Sequence, residues 1–302
     1  YVGSIIHALG FSFVDSIKIL LAGSLLGSSV LTFFWLRIYF SSFASFIGGM
    51  SFLFAPYLVF DLYSRGSVGE IFALFPVTLT FYAVASSKYW LLAPAIGLLV
   101  LGHNTLALLF FPYIILYMVS RRQMYTLWQI VLGLGLAAFF WIPALIEKQY
   151  VRFDLVTVSK ISDYFINNRS LILIGPVFLV ACVVLLLSKR KFTDNVLHLL
   201  IFGCCLFMTL PVSEPLWHIL SLGQFVQFPY RFLSVSLVAG SFLVAAATHR
   251  MSLRYKVVFF VFALVVWFTT TTPRINLISH VVREEGFYST NEATTTVADE
   301  YM

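Results

Sequence analysis

The chain has 302 residues, of which 60% are hydrophobic and 11% charged, with a mean hydropathy of +0.94. A soluble domain carries about 25% charged residues, so the composition excludes an ordinary soluble protein and predicts a polytopic membrane protein. The net charge of +6 does not predict nucleic-acid binding, because the excess falls in short loops, where it sets orientation.

Taken in chain order, Tyr1–Gly10 reads as the tail of a helix already under way, since it lacks the basic region of a signal peptide. Phe13–Leu36 spans and ends at Arg37. Phe43–Phe60 returns and ends at Asp61, and Glu70–Ala85 leads to Lys88. Leu91–Leu101 runs to Gly102-His103-Asn104, and Thr105–Val119 comes back to Arg121-Arg122. Leu127–Ile142 ends near Pro143 and a polar loop, Glu147–Arg169. Leu171–Leu187 leads to Lys189-Arg190-Lys191, and Val196–Leu210 to Pro211. Val212–Gln227 stays on that side, with a short surface helix over Leu216–Leu222. Phe232–Ala247 and Val257–Phe268 are the last spans. The expected fold is therefore all-α, with about ten transmembrane helices, the first one partial.

Residues 1–272 form the membrane domain in this reading. Residues 273–302, polar and Thr-rich, begin an extracytoplasmic soluble region, and the chain reads as a piece of a longer protein. The stretch from Lys88 to Arg121 decides the topology. As one helix it would put Lys88 and Arg121 on opposite sides. As a hairpin broken at Gly102-His103-Asn104 it keeps every basic loop together. Leu91–Leu101 is too short to cross a core about 30 Å thick at 1.5 Å per residue, so the hairpin tip is expected below the surface. Polar backbone at that depth belongs beside a protein-buried or wet cavity.

With that hairpin, Arg37, Lys88, Arg121, Arg122, Lys189, Arg190, Lys191, Arg250, Arg254 and Lys256 share one side with a single acid, Asp194. Short loops rich in Lys and Arg mark the cytoplasm. Every other acid lies on the far side, with His103, Asn104 and Arg231, and any chemistry is expected there.

The stretch Asp61-Leu-Tyr-Ser-Arg-Gly-Ser-Val-Gly-Glu70 supplies the first candidates. Asp61 and Arg65 meet at i,i+4 if the helix continues. Gly66 then breaks it, and Glu70 opens the next span at its positive end. Either the three neutralise one another and fix two helices, or Arg65 holds a phosphate while a carboxylate binds sugar hydroxyls or a metal. His103-Asn104 at the hairpin tip is either a satisfied structural pair or a hydrogen-bonding site for a head group or sugar. Glu147, Lys148, Arg152 and Asp154 read first as a solvated loop. In Gln227-Phe-Pro-Tyr-Arg231, Pro229 starts a helix and puts Arg231 at its positive end, an unfavourable place for a cation. That implies an anion partner, with interfacial anchoring by Tyr230 and Arg231 as the alternative. Cys182, Cys204 and Cys205 lie in apolar spans and make neither a metal spacing nor a disulfide framework.

These motifs, Asp61 to Glu70 followed by Pro76, Gly-His-Asn at 102–104 and Gln-Phe-Pro-Tyr-Arg at 227–231, give the chain a resemblance. It resembles the multi-pass prokaryotic membrane proteins labelled 6-pyruvoyl-tetrahydropterin synthase-related. These are similar in turn to YfhO-type proteins and to the GT-C superfamily of polyprenyl-phosphate-sugar glycosyltransferases. The label implies no pterin chemistry, because no compact set of zinc-ligating histidines is present. The resemblance implies transfer of a sugar from a polyprenyl-phosphate donor to a glycan, lipid or protein acceptor, on the outer face of a prokaryotic plasma membrane. It places the catalytic carboxylate before Tyr1 and allows a divalent metal in the full-length protein. Asp61, Arg65, Glu70, His103, Asn104 and Arg231 are then substrate-binding candidates. A non-catalytic lipid-linked glycan transporter or assembly factor, or a membrane anchor for a missing soluble domain, are the alternatives.

Overall fold

A computed structural model describes residues 2–150, 160–188, 195–275 and 286 of the chain. It is all-helical, with no strand among the described residues. Five helices are long and apolar enough to cross a membrane, or up to seven if each of two bent pairs is one span, and three shorter apolar helices accompany them. The fold is that of an integral membrane protein.

A short helix α1 (Val2–Ala8) precedes α2 (Phe13–Arg37), whose first turn is fixed by Ser12, which accepts from the Asp15 amide at 3.0 Å. One face of α2 is open, with Leu26, Val30 and Phe34 exposed. α3 (Ser42–Leu53) is interrupted at Phe54-Ala55 and resumes as α4 (Pro56–Phe60), with Pro56 in its first turn, where a missing N–H does no harm. The helix then continues as a π-helical turn over Asp61–Arg65 and stops at Gly66, whose φ of +63° suits glycine. α5 (Val68–Ala85), α6 (Leu92–Gly102) and α7 (Asn104–Ser120) follow, so the Lys88–Arg121 stretch is a hairpin broken at His103.

Three expected spans differ in detail. The segment after Tyr125 is bent by 65° between α8 (Trp128–Leu136) and α9 (Ala138–Glu147). Leu171–Ile174 is a 3-10 turn, and α10 covers only Pro176–Leu187, because Pro176 starts it. After α11 (Val196–Thr209), Pro211 turns the chain by 87°, and the surface helix forms as α12 (Glu214–Ile219), with Trp217 buried. α13 (Gly223–Val226) and a 3-10 turn lead into α14 (Phe232–Arg250), and α15 is Leu253–Ile275. Thr269–Thr272, expected outside the last span, are helical. Their composition misleads because the hydroxyls of Thr269, Thr270 and Thr272 bond back to the carbonyls of Val265, Val266 and Phe268 at 2.7–2.8 Å. The proposed soluble region lies, apart from its first residues and Gly286, outside the described residues.

α14 is the central helix, buried on all sides from Leu233 to Thr248. Its small residues allow close neighbours. A Cβ on Gly48 would lie 2.9 Å from the Ser241 carbonyl and 3.1 Å from Ala245 Cβ. Two of its buried hydroxyls bond back within the helix, Ser241 to the Leu237 carbonyl and Thr248 to that of Val244.

Two ends of the bundle are defined by contacts. At one, the Arg121 guanidinium lies 4.1 Å from the Tyr39 ring centroid, the Ser41 amide donates to His249 Nδ1 at 3.2 Å, and Tyr89 and Tyr125 share a hydrogen bond of 2.8 Å. These contacts join the loops that carry Arg37, Lys88, Arg121 and Arg250. Lys189, Arg190, Lys191 and Asp194 lie outside the described residues. The motifs carrying Asp61, Glu70, His103 and Arg231 meet at the opposite end.

Candidate functional site

The site grows from three chain breaks that meet. The π-helical turn after α4 keeps Asp61 and Arg65 on one face, and Arg65 donates to Asp61. Gly66 reverses the chain and brings Glu70, in the first turn of α5, under the same guanidinium. Arg65 grips it as a fork, Nη2 to Oε1 at 2.9 Å and Nη1 to Oε2 at 3.0 Å. Arg231, 161 positions away, donates its Nε to Glu70 Oε1 at 2.8 Å, and the Tyr57 hydroxyl donates to Oε2 at 3.2 Å. Glu70 is fully buried and Asp61 is 1% exposed. Two acids therefore face two arginines, so that neither guanidinium is buried without an acidic partner.

The anion that Arg231 requires at its helix end is supplied by Glu70 of the same chain. Arg231 also donates its Nη1 to the Val226 carbonyl and to Gln227 Oε1, each at 2.8 Å. Gln227 has φ +63° and ψ −55°, and Phe228 N donates to the Val226 carbonyl at 2.8 Å, which closes a strained γ-turn. Such backbone costs about 1–3 kcal/mol and persists where surrounding contacts hold it. Here the bond to Arg231 holds it. The turn aims Phe228 and Tyr230, whose rings stack at 5.2 Å, at the arginines. Arg65 lies 4.8 Å from the Tyr230 centroid and Arg231 5.0 Å from that of Phe228. Tyr164 adds a third ring, 4.9 Å from Phe228.

His103 caps α7, its Nδ1 accepting from the Leu106 amide at 3.2 Å. That assigns the neutral ring's proton to Nε2, which faces Glu70 Oε1 at 3.8 Å, beyond hydrogen-bond distance. The approach depends on Gly69, where a Cβ would stand 3.0 Å from the Gly102 carbonyl and 3.3 Å from His103 Cδ2.

Five of the six expected site residues thus converge: Asp61, Arg65, Glu70, His103 and Arg231. Asn104 does not join them. It is exposed, and its Oδ1 accepts from the neighbouring Thr105 amide at 3.1 Å, because the helix it begins turns it away from the cluster. Glu147 is exposed at the end of α9, and Arg152 and Asp154 lie outside the described residues. Asp61, Arg65, Glu70 and Arg231 form one ion network. Two clefts, of about 580 and 570 Å³, are walled by other residues, although the second reaches Gly69 and Gly102. Tyr57 escaped the sequence reading, yet it stands four residues before Asp61, on the same helical face. The aromatic role of Phe228 and Tyr164 had no local signal.

A metal has no ligand set here: Asp61 and Glu70 converge on a guanidinium, and no group of three His, Cys, Asp or Glu suited to a metal occurs among the described residues. Glu70 already accepts four hydrogen bonds and is held as a carboxylate rather than poised as a base. Each guanidinium has five N–H groups. Arg65 and Arg231 each make three hydrogen bonds to described partners, which leaves two N–H groups apiece for another acceptor. No family model matches the chain, nor does any curated protein or solved structure.

Proposed function

We propose that the chain is the membrane part of a GT-C-type glycosyltransferase, which moves a sugar from a polyprenyl-phosphate donor to an acceptor on the extracytoplasmic face. In this reading the five long helices and the two bent pairs cross, and the three shorter apolar helices run part of the way through the core, which makes ten membrane segments. The end bearing Arg37, Lys88, Arg121 and Arg250 faces the cytoplasm. The observation that carries the proposal is the buried Asp61–Arg65–Glu70–Arg231 network at the opposite end, beneath the rings of Phe228 and Tyr230. Buried charges at a membrane boundary are costly and mark functional sites by default. The network fixes the two guanidinium groups, and their remaining N–H groups would meet the donor phosphate. The aromatic rings would flank the sugar.

Binding of a polyprenyl phosphate to the full-length protein in detergent tests the reading. Arg65→Lys and Arg231→Lys keep the charge and lose the planar fork. Losing one charged hydrogen bond, about 1.5–3 kcal/mol, weakens binding about tenfold or more. Unchanged affinity in both variants, with the fold intact, rejects the donor-binding role.

The charge balance supports a second reading. A network that satisfies itself can be a staple joining three helix breaks, as a non-catalytic lipid-linked glycan transporter, assembly factor or membrane anchor would use. Unchanged donor affinity together with lowered thermal stability would select it.

A further inference from the structure

A groove of about 580 Å³ runs between α10 and α15, away from the charged network. Its walls are Val180 and Val184 on one side and Met251, Tyr255, Val258 and Phe262 on the other. All are apolar apart from the phenol of Tyr255, and the volume lies within the range of about 300–1,000 Å³ typical of ligand sites. Val258 is 60% exposed, so the groove opens sideways, toward the surroundings of the outermost long helix. Water gains nothing from such walls, whereas a hydrocarbon chain fits them.

One end of the groove, at Met251 and Tyr255, lies at the basic end of the bundle. Tyr255 is 65% exposed there, with Arg254 and Lys256 on either side of it in sequence and Arg250 closing α14. No acid occurs between Arg250 and Lys256, and in the sequence α10 is followed, after Ser188, by Lys189-Arg190-Lys191. Basic pockets between membrane helices collect anionic head groups, and long cationic side chains reach to the interface while their stems cover apolar surface. Tyrosine suits the same boundary.

We propose that this groove is a binding site for an anionic phospholipid, with an acyl chain along Val184, Val258 and Phe262 and the phosphate headgroup beside Tyr255, bracketed by Arg254 and Lys256, which leave α15 about 100° to either side of Tyr255 and reach the headgroup with their long side chains. The inference stands apart from the glycosyltransferase reading, because it uses neither the network nor its end of the bundle.

Native mass spectrometry of the full chain in detergent, with phosphatidylglycerol and phosphatidylcholine of identical acyl chains, tests it. Phosphatidylglycerol should be retained over phosphatidylcholine. The double variant Arg254→Gln/Lys256→Gln should lower phosphatidylglycerol affinity roughly thirtyfold and remove the preference. Val258→Trp should fill the groove and weaken both lipids; if that variant does not fold, Val184→Phe serves in its place. Glycerol phosphate, a head group without chains, should not compete. Equal retention of the two lipids, unchanged affinity in the charge variant or in the groove variant, or displacement by glycerol phosphate would each overturn the proposal.

Discussion

Arg231 Nε donates to Glu70 Oε1 at 2.8 Å, and this bond ties the start of α14, the central helix, to the start of α5. Both helix starts carry positive partial charge. Glu70 is favourably placed at its own helix end, and it neutralises the cation that sits unfavourably at the other. The same carboxylate holds Arg65, so one side chain joins two chain breaks and faces the His103 turn that forms a third.

Glu70→Ala should therefore be the most damaging single change at this end. It leaves the buried Arg231 guanidinium and the partly buried one of Arg65 without their shared anion. Removing one partner of a buried pair costs about 3–5 kcal/mol. Thermal unfolding in detergent should show a large fall in midpoint, and the double change Glu70→Gln/Arg231→Gln should cost less than the two singles added together. Additive losses would mean the bond carries no coupling.

His103 can be separated into its two roles. His103→Ala removes the cap on the Leu106 amide, a loss of about 1 kcal/mol. His103→Asn restores an N-cap acceptor and should recover most of that stability. If His103 also contacts substrate, both variants should lose binding to a similar degree. Recovery of binding together with stability would confine His103 to the cap.

Close packing of α6 on α8 rests on Gly133. A Cβ there would stand 2.6 Å from Ile96 Cβ and 2.7 Å from the Ala93 carbonyl. Backbone on the other side cannot yield cheaply, so Gly133→Ala should destabilise by about 1–3 kcal/mol. Gly135→Ala, with open space around it, should be near neutral in the same assay. Equal effects at the two positions would contradict this helix pairing.

Sidedness can be read by cysteine labelling in intact cells, with Cys182, Cys204 and Cys205 first replaced. Glu147→Cys, exposed at the end of α9, should react with an impermeant reagent from outside. Tyr125→Cys, exposed at the basic end, should react only after permeabilisation. The opposite pattern would invert the orientation and remove the outer-face site.

The sequence by itself determined the class of fold and the grouping of charges. Apolar runs near membrane length made the chain all-α. The need to keep Arg37, Lys88, Arg121 and Arg250 together broke the Lys88–Arg121 stretch at His103, where the helix break is found. Local spacing also placed Asp61 and Arg65 one turn apart and Gly66 at the stop. The partner of Arg231 was legible only as a missing anion, because Glu70 lies 161 residues away and helix packing alone brings them together. Tertiary structure decided, too, that the polar residues pair with one another in a single ion network. Burial makes an unpaired charge costly, so each charge in the cluster takes the opposite charge that the folded chain brings within reach. Asn104 shows the limit of adjacency in sequence. One step past His103 along a helix rotates a side chain by about 100°, enough to carry it from the cluster to the surface.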